Sequence, residues 1–291
     1  MNMDFKSAKE LLELCEQNQL PISEVMRQRE CILGEVPRDA VDHRMNKAWE
    51  IMRSSATQPL KKPIKSMGGL IGGEAKKLEA HYNKKKSICG DVLDKAMTYA
   101  MAVLEVNASM GLIVAAPTAG SAGVVPGMML ALQECCRISD QRIVDALFNA
   151  GAVGYLAMRN ATVAGAVGGC QAEVGIASAM AASAAVELMG GGPQQCLDAA
   201  STVLMNMLGL VCDPVGGLVE YPCQNRNAAG VANALIAAEM SLSGIHQLIP
   251  FDQMLDAMYA VGKRLPAELR ETALGGCAAT PAACAACGRC G

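Results

Sequence analysis

The sequence predicts an all-α protein, and three observations carry that prediction. Apolar residues recur at helical spacing from the start, as in Leu11, Leu12 and Cys15 or Val25, Met26 and Ile32. The long middle of the chain is rich in Ala, Met and Leu, and β-branched clusters such as Ile113–Val114 and Val124–Val125 are too short to force a sheet. Aromatics make up only 3% of residues against 29 Gly and 19 Met, so the core must pack closely on small side chains, with Met filling gaps.

Taken in order, residues 6–17 and 23–33 read as two amphipathic helices, the second started by Ser23 and Glu24 after Pro21, and 39–56 as a third. They form an N-terminal layer, 1–56. TQPLKKPIKS at 57–66 reads as a Pro- and Lys-marked linker. The main unit, 57–276, carries helical segments at 89–110, 141–159, 171–189, 195–209, 227–243 and 252–264. Gly and Pro punctuate them at 190–193 and 213–217. A cysteine-rich tail, 277–291, follows. Residues 1–65 hold 21 of 53 charged residues and 96–211 only 10, so the first part is a solvated layer and the middle is core. The uncharged run 111–132 is long enough to span a bilayer, but Pro117, Pro126, Thr118 and Ser121 make it buried structure, with no membrane association expected. A net charge of −3 argues against nucleic acid. Asp4 and Glu10 stand where a signal peptide would be apolar, so a cytoplasmic location is expected.

In that compartment thiols stay reduced, so 13 Cys beside 3 His point to metal or redox chemistry rather than disulfides. Cys15, Cys31, Cys89, Cys135, Cys136 and Cys196 read as small buried hydrophobes. Cys170 follows Gly168–Gly169 at an expected helix start, where the dipole favours a thiolate. Cys212 and Cys223 bracket a loop stiffened by two Pro and a Gly pair. Three thiolates without nearby His suit zinc or an iron–sulfur cluster; buried, unliganded thiols are the open alternative. APTAGSAGVVPG at 116–127 offers hydroxyls and amides to a phosphate or carboxylate, or else serves a tight helix crossing. The Gly-rich turn after Ser66 lacks a nucleotide-loop frame, but Ser66 and its amides could hold a small carboxylate, with His81 on the helix beyond. Arg226 could fork onto a carboxylate, and Asn227 could cap a helix or line a site. The tail, with Cys277, Cys284, Cys287 and Cys290, has ligand-like spacing but is expected to be mobile.

Seven motifs carry a resemblance: SMGGLIGGEAKKLEAHY, EVNASMG, APTAGSAGVVPG, GGCQAEVG, MLGLVCDPVGGLVEYPC, RNAAGVANALIAAEMSLSG and RETALGGCAATP. In this order, over nearly the whole chain, they resemble the α chain of the bacterial iron–sulfur-dependent L-serine dehydratases of the two-chain type. The resemblance implies an α-helical catalytic domain, here 57–276, and an oxygen-sensitive [4Fe–4S] cluster held by three cysteines that match Cys170, Cys212 and Cys223. It implies dehydration and deamination of L-serine to pyruvate and ammonia, the open iron acting as Lewis acid, and no pyridoxal phosphate. Ser66, Met67 and the loop Thr118, Ala119, Gly120 and Ser121 would hold the substrate, with Ser66, Thr118, Ser121 and Asn227 as catalytic candidates. A separate β chain would supply a catalytic histidine. Single-chain relatives end in a cysteine that folds back onto the open iron, and Cys290 is the candidate here; Cys277, Cys284 and Cys287 depart from the family pattern. Three rivals stay open: a related lyase acting on L-cysteine, a pyridoxal-phosphate enzyme with Gly190–Gly192 as a weak phosphate cup, and a non-catalytic metal-binding module.

Overall fold

A computed structural model describes residues 3–288. The described residues contain thirteen α-helices: α1 (Ala8–Asn18), α2 (Ile22–Leu33), α3 (Arg38–Lys61), α4 (Glu74–Asn83), α5 (Gly90–Ala108), α6 (Val124–Cys136), α7 (Asp140–Asn160), α8 (Gly165–Gly168), α9 (Ile176–Leu188), α10 (Pro193–Met207), α11 (Cys223–Leu242), α12 (Phe251–Arg264) and α13 (Pro281–Cys287). Among them the only β pairing is one isolated bridge, between Cys212 and Arg270. The all-α expectation holds.

The core is built around α9, in which every side chain except Glu187 is buried. A helix apolar all round must be surrounded, and α9 packs against α6, α7, α10 and α11. Ala and Ser line it, so its neighbours approach closely. Where α6 crosses α5, a Cβ on Gly123 would lie 2.3 Å from the Ala100 carbonyl oxygen, and one on Gly127 2.7 Å from that of Ala96. Any side chain there would push the two helices apart, which is the physical use of so many small residues. Sequence reading missed α6, because its buried stretch 124–132 carries no charge and is interrupted by Pro126 and Gly127.

The N-terminal layer docks on this core through α2 on α7 and α3 on α5. Arg27, only 3% exposed, lies over the Phe148 ring and pairs with Glu24, Asp42 and Asp145. The helix starts at Ile22 with Pro21 as its cap; the Ser23 amide instead reaches Glu187 Oε2 of α9 at 3.2 Å. The linker expected at 57–66 is helical as far as Lys61. Pro59 and Leu60 are buried, so apolar burial outweighs the hydrogen bond that proline cannot donate. Asp252, at the start of α12, accepts from the Ala8 amide at 2.8 Å and so ties the two ends of the fold together.

No helix among the described residues is long and apolar enough to cross a membrane. Run 111–132 folds as an extended segment, a single 3-10 turn at Ala119–Ser121 and the first part of α6. The tail expected to be mobile is folded as far as Cys287: Thr280 caps α13, which rests on the turn Val215–Gly217. Cys290 lies outside the described residues.

Candidate metal centre

The loops between α7 and α9, between α10 and α11, and before α6 meet at one place. Cys170 caps a π-helical turn, Gln171–Gly175; such turns often mark functional sites. Glu173, three residues on, shares its face. Cys212 is fixed from both sides, its amide donating to the Leu269 carbonyl at 2.9 Å and its carbonyl accepting from the Glu271 amide at 2.7 Å. The Cys170 and Cys212 sulfurs and a Glu173 carboxylate oxygen all lie within 4.8 Å of one another. Cys223 opens α11; its sulfur stands outside that set, although Cys170 and Glu173 are close enough to act on it.

Electrostatics separate the three thiols. Cys170 is held below the ordinary thiol range, chiefly by a hydrogen bond from the Cys212 thiol and, against burial, by the Arg226 guanidinium. Cys212 is pushed up by that same bond and by burial. Burial, then the charge of Cys170, pushes Cys223 up. Burial also raises the Glu173 carboxyl. Arg226 does not reach outward as a fork. It pairs with buried Asp213 at 2.6 Å and donates to the Val211 carbonyl at 2.9 Å, so it locks the Cys212 loop from beneath.

The loop before α6 forms one wall. Thr118 Oγ1 donates to Glu173 Oε1 at 2.7 Å and lies 3.1 Å from Ser121 Oγ. Ala119 is exposed while Gly120 and Ser121 are buried, so one side of the loop is accessible. Asn227 does not cap a helix. From inside α11 its amide donates to the carbonyls of Gly120 (2.8 Å) and Cys223 (2.9 Å), and its Oδ1 accepts from the Gly123 amide (3.0 Å). Asn227 thus staples the Thr118–Ser121 loop to the Cys223 helix.

The Ser66 turn does hold a carboxylate, but it is the protein's own. Glu220, 2% exposed, accepts from Ser66 Oγ at 2.7 Å, the Gly68 amide at 2.6 Å and the Leu70 amide at 2.9 Å. Met67 is 77% exposed. Val219 lies against Gly120, so residues 219–220 join the Ser66 turn to the Thr118–Ser121 loop. His43, His81 and His246 are all exposed, and none is among the groups that converge on the cysteines.

A family model described as "Serine dehydratase alpha chain" matches residues 17–278. The chain belongs to that family. A probable L-serine dehydratase alpha chain of Bacillus subtilis is 47% identical over 277 residues, covering 95% of this chain and 92% of that protein. The L-serine dehydratase alpha chain of Peptoniphilus asaccharolyticus is 43% identical over 274 residues, covering 94% of each. The L-serine dehydratase of Helicobacter pylori is 38% identical over 284 residues, and the aligned part is 62% of its length.

Within this member of the serine dehydratase alpha chain family, the thiols divide by setting. Cys15 and Cys196 are packed as small hydrophobes, and burial pushes the Cys15 thiol up to about 12. Cys31 and Cys135 are half-buried. Cys89 and Cys136 are exposed, contrary to expectation: Cys89 precedes the first turn of α5, and Cys136 ends α6 beyond its buried stretch. Cys277, Cys284 and Cys287 are half-buried near the loop that follows Cys212; the Cys277 amide donates to Asp213 at 2.6 Å. Sequence reasoning missed Glu173 and Glu220. The C-x2-E spacing within GGCQAEVG was the available signal for the first; a contact over 150 residues of chain left none for the second.

Proposed function

We propose that this chain is the cluster-bearing part of an L-serine dehydratase, converting L-serine to pyruvate and ammonia together with a separate β chain. The observation that carries the reading is the pair of buried thiols Cys170 and Cys212 brought together with Glu173, with Cys223 opening the neighbouring α11, in a chain of this family. The donor set fits a [4Fe–4S] cluster: three thiols, no histidine, a guanidinium to offset thiolate charge, and space kept by Gly165, where a Cβ would lie 2.9 Å from the Cys212 sulfur. Three cysteine ligands leave one iron open, and bound there the cluster supplies a Lewis acid for the substrate hydroxyl, a poor leaving group.

The remaining work falls to the polypeptide. Thr118 and the Ala119 amide take the substrate carboxylate on the accessible side of their loop, backed by buried Gly120 and Ser121, with Ser66 and Met67 on the adjoining turn. Asn227 keeps that loop in register with the cysteines. Burial around Cys170 and Cys212 excludes water and strengthens each charge contact. Proton abstraction is assigned to a histidine of the β chain. A reducing cytoplasm is the setting such thiols need.

The test is anaerobic purification alone and with a candidate β chain, followed by iron, sulfide and pyruvate measurements. Four irons and four sulfides per chain, and serine turnover lost in air only in the co-expressed sample, support the reading. Iron and sulfide with turnover of L-cysteine but not L-serine move the substrate. A chain that takes up no cluster overturns it.

A further inference from the structure

The cysteines expected to act as a threesome do not stand as one. Cys170, Cys212 and Glu173 converge within 4.8 Å, with Cys223 outside the group. Glu173 is oriented for this. Its Oε1 takes a 2.7 Å hydrogen bond from Thr118, leaving Oε2 turned toward Cys212, 4.0 Å from the sulfur. A ligand steered by a second group is how metal sites fix their geometry. Room is left as well, since a Cβ on Gly165 would lie 2.8 Å from Oε2 and 2.9 Å from the Cys212 sulfur.

Charge points the same way. Two sulfurs and a carboxylate become three anionic donors when a bound cation displaces their protons. Arg226 is the cation beside them, and it is shared with buried Asp213. A divalent cation is the partner that all three donors could hold at once. Two soft sulfurs select zinc, ferrous iron or cobalt over magnesium or calcium, and three protein ligands leave a fourth position open.

The geometry points to a mononuclear site for a thiophilic divalent cation in the cluster-free chain, made by Cys170, Cys212 and Glu173 and not by Cys223. It goes beyond the dehydratase reading, because it needs neither β chain nor sulfide. A chain so loaded keeps its two innermost sulfurs drawn against Glu173 with Cys223 idle.

Cobalt(II) is the probe. The full chain is stripped with chelator under reducing, anaerobic conditions and titrated with Co²⁺, reading the thiolate-to-cobalt charge-transfer band, then Zn²⁺ is added to displace it. One equivalent is expected. C170S and C212S abolish the band at stoichiometric metal, while C223S titrates like wild type. E173Q weakens binding by about tenfold or more, the scale of losing a group that shapes a metal site. Zn²⁺ raises the melting temperature of wild type and C223S alike, and far-UV circular dichroism establishes that each variant is folded. Loss of the band in C223S equal to that in C170S overturns the inference in favour of the three thiols. So does an E173Q titration matching wild type, or no binding at all. Iron and sulfide incorporation, measured separately, distinguishes this from failure of the cluster reading: C223S removes a cluster ligand and spares the cation.

Discussion

At the residue scale, Glu220 and Asn227 hold the site without lying among the converging ligands. Glu220 accepts three hydrogen bonds from the Ser66 turn in a buried setting, three residues before Cys223. Glu220→Gln turns an amide N–H toward donors that have no other partner, at a cost of about 1–3 kcal/mol. Urea unfolding should report that loss, and cluster content should fall with it; unchanged unfolding would mean the turn finds another acceptor. Asn227→Ala removes the staple between the Thr118–Ser121 loop and α11, so KM for L-serine should rise more than kcat falls. An equal loss in kcat with KM unchanged would place Asn227 at the reacting atoms instead. The cysteines, the Thr118 loop and the Ser66 turn stand out in the sequence because each sits in a short motif with its own chemistry; of the three cysteines the structure brings Cys170 and Cys212 together with Glu173 and leaves Cys223 outside that set. What the Ser66 turn holds was not, since Glu220 becomes its partner only when residues 66 and 220 meet in the fold.

At the scale of elements, the helices with one wet face were legible to within a few residues, and α9, apolar all round, still fell within the expected 171–189, whereas α6 was missed. Regions 23–33 and 252–264 alternate apolar and charged positions, and the structure places α2 and α12 there. By contrast α6 carries neither charge nor period until Glu134, and its existence depends on α5 offering a surface bare enough to meet Gly123 and Gly127. Gly127→Val should therefore destabilise by about 1–3 kcal/mol through overpacking, with the fold retained at low temperature. Thermal unfolding measures it. The N-terminal layer rests on electrostatics as well as packing. Burial works against the Glu24 carboxylate, but hydrogen bonds from Arg38, Gln28 and Arg27 hold it down at about 2, from 4.5. A folded pKa below the unfolded one gives stability that is full above about 4.5 and fades as pH falls through 2. Glu24→Gln should thus lower stability at pH 7 and flatten the acid limb between those values. Identical pH–stability curves for both proteins would show that the layer is held by α2 and α3 packing alone.

At the scale of the molecule, the chain is a core with one loaded corner, and that corner has an uncovered apolar edge. Met67, Met110 and Leu112 are 77%, 81% and 71% exposed. They adjoin, because the Met67 amide donates to the Ala108 carbonyl at 2.9 Å. The edge runs from the Ser66 turn to the segment that feeds the Thr118 loop. Exposed apolar groups gathered beside a polar site mark a contact surface more often than isolated ones do. The family name specifies an alpha chain, and the longer Helicobacter pylori relative carries further sequence beyond the 62% that aligns here. A β chain seated on this edge would close the accessible side of the Thr118–Ser121 loop, beside a site that has no histidine among the described residues. Met110→Asp with Leu112→Asp should reduce co-purification of the β chain at least tenfold, about 1.4 kcal/mol or more in affinity. Both positions face solvent, so the variant should keep the melting temperature and cluster content of the α chain alone. If the double variant still captures the β chain fully, the partner binds elsewhere and this edge is not the contact surface.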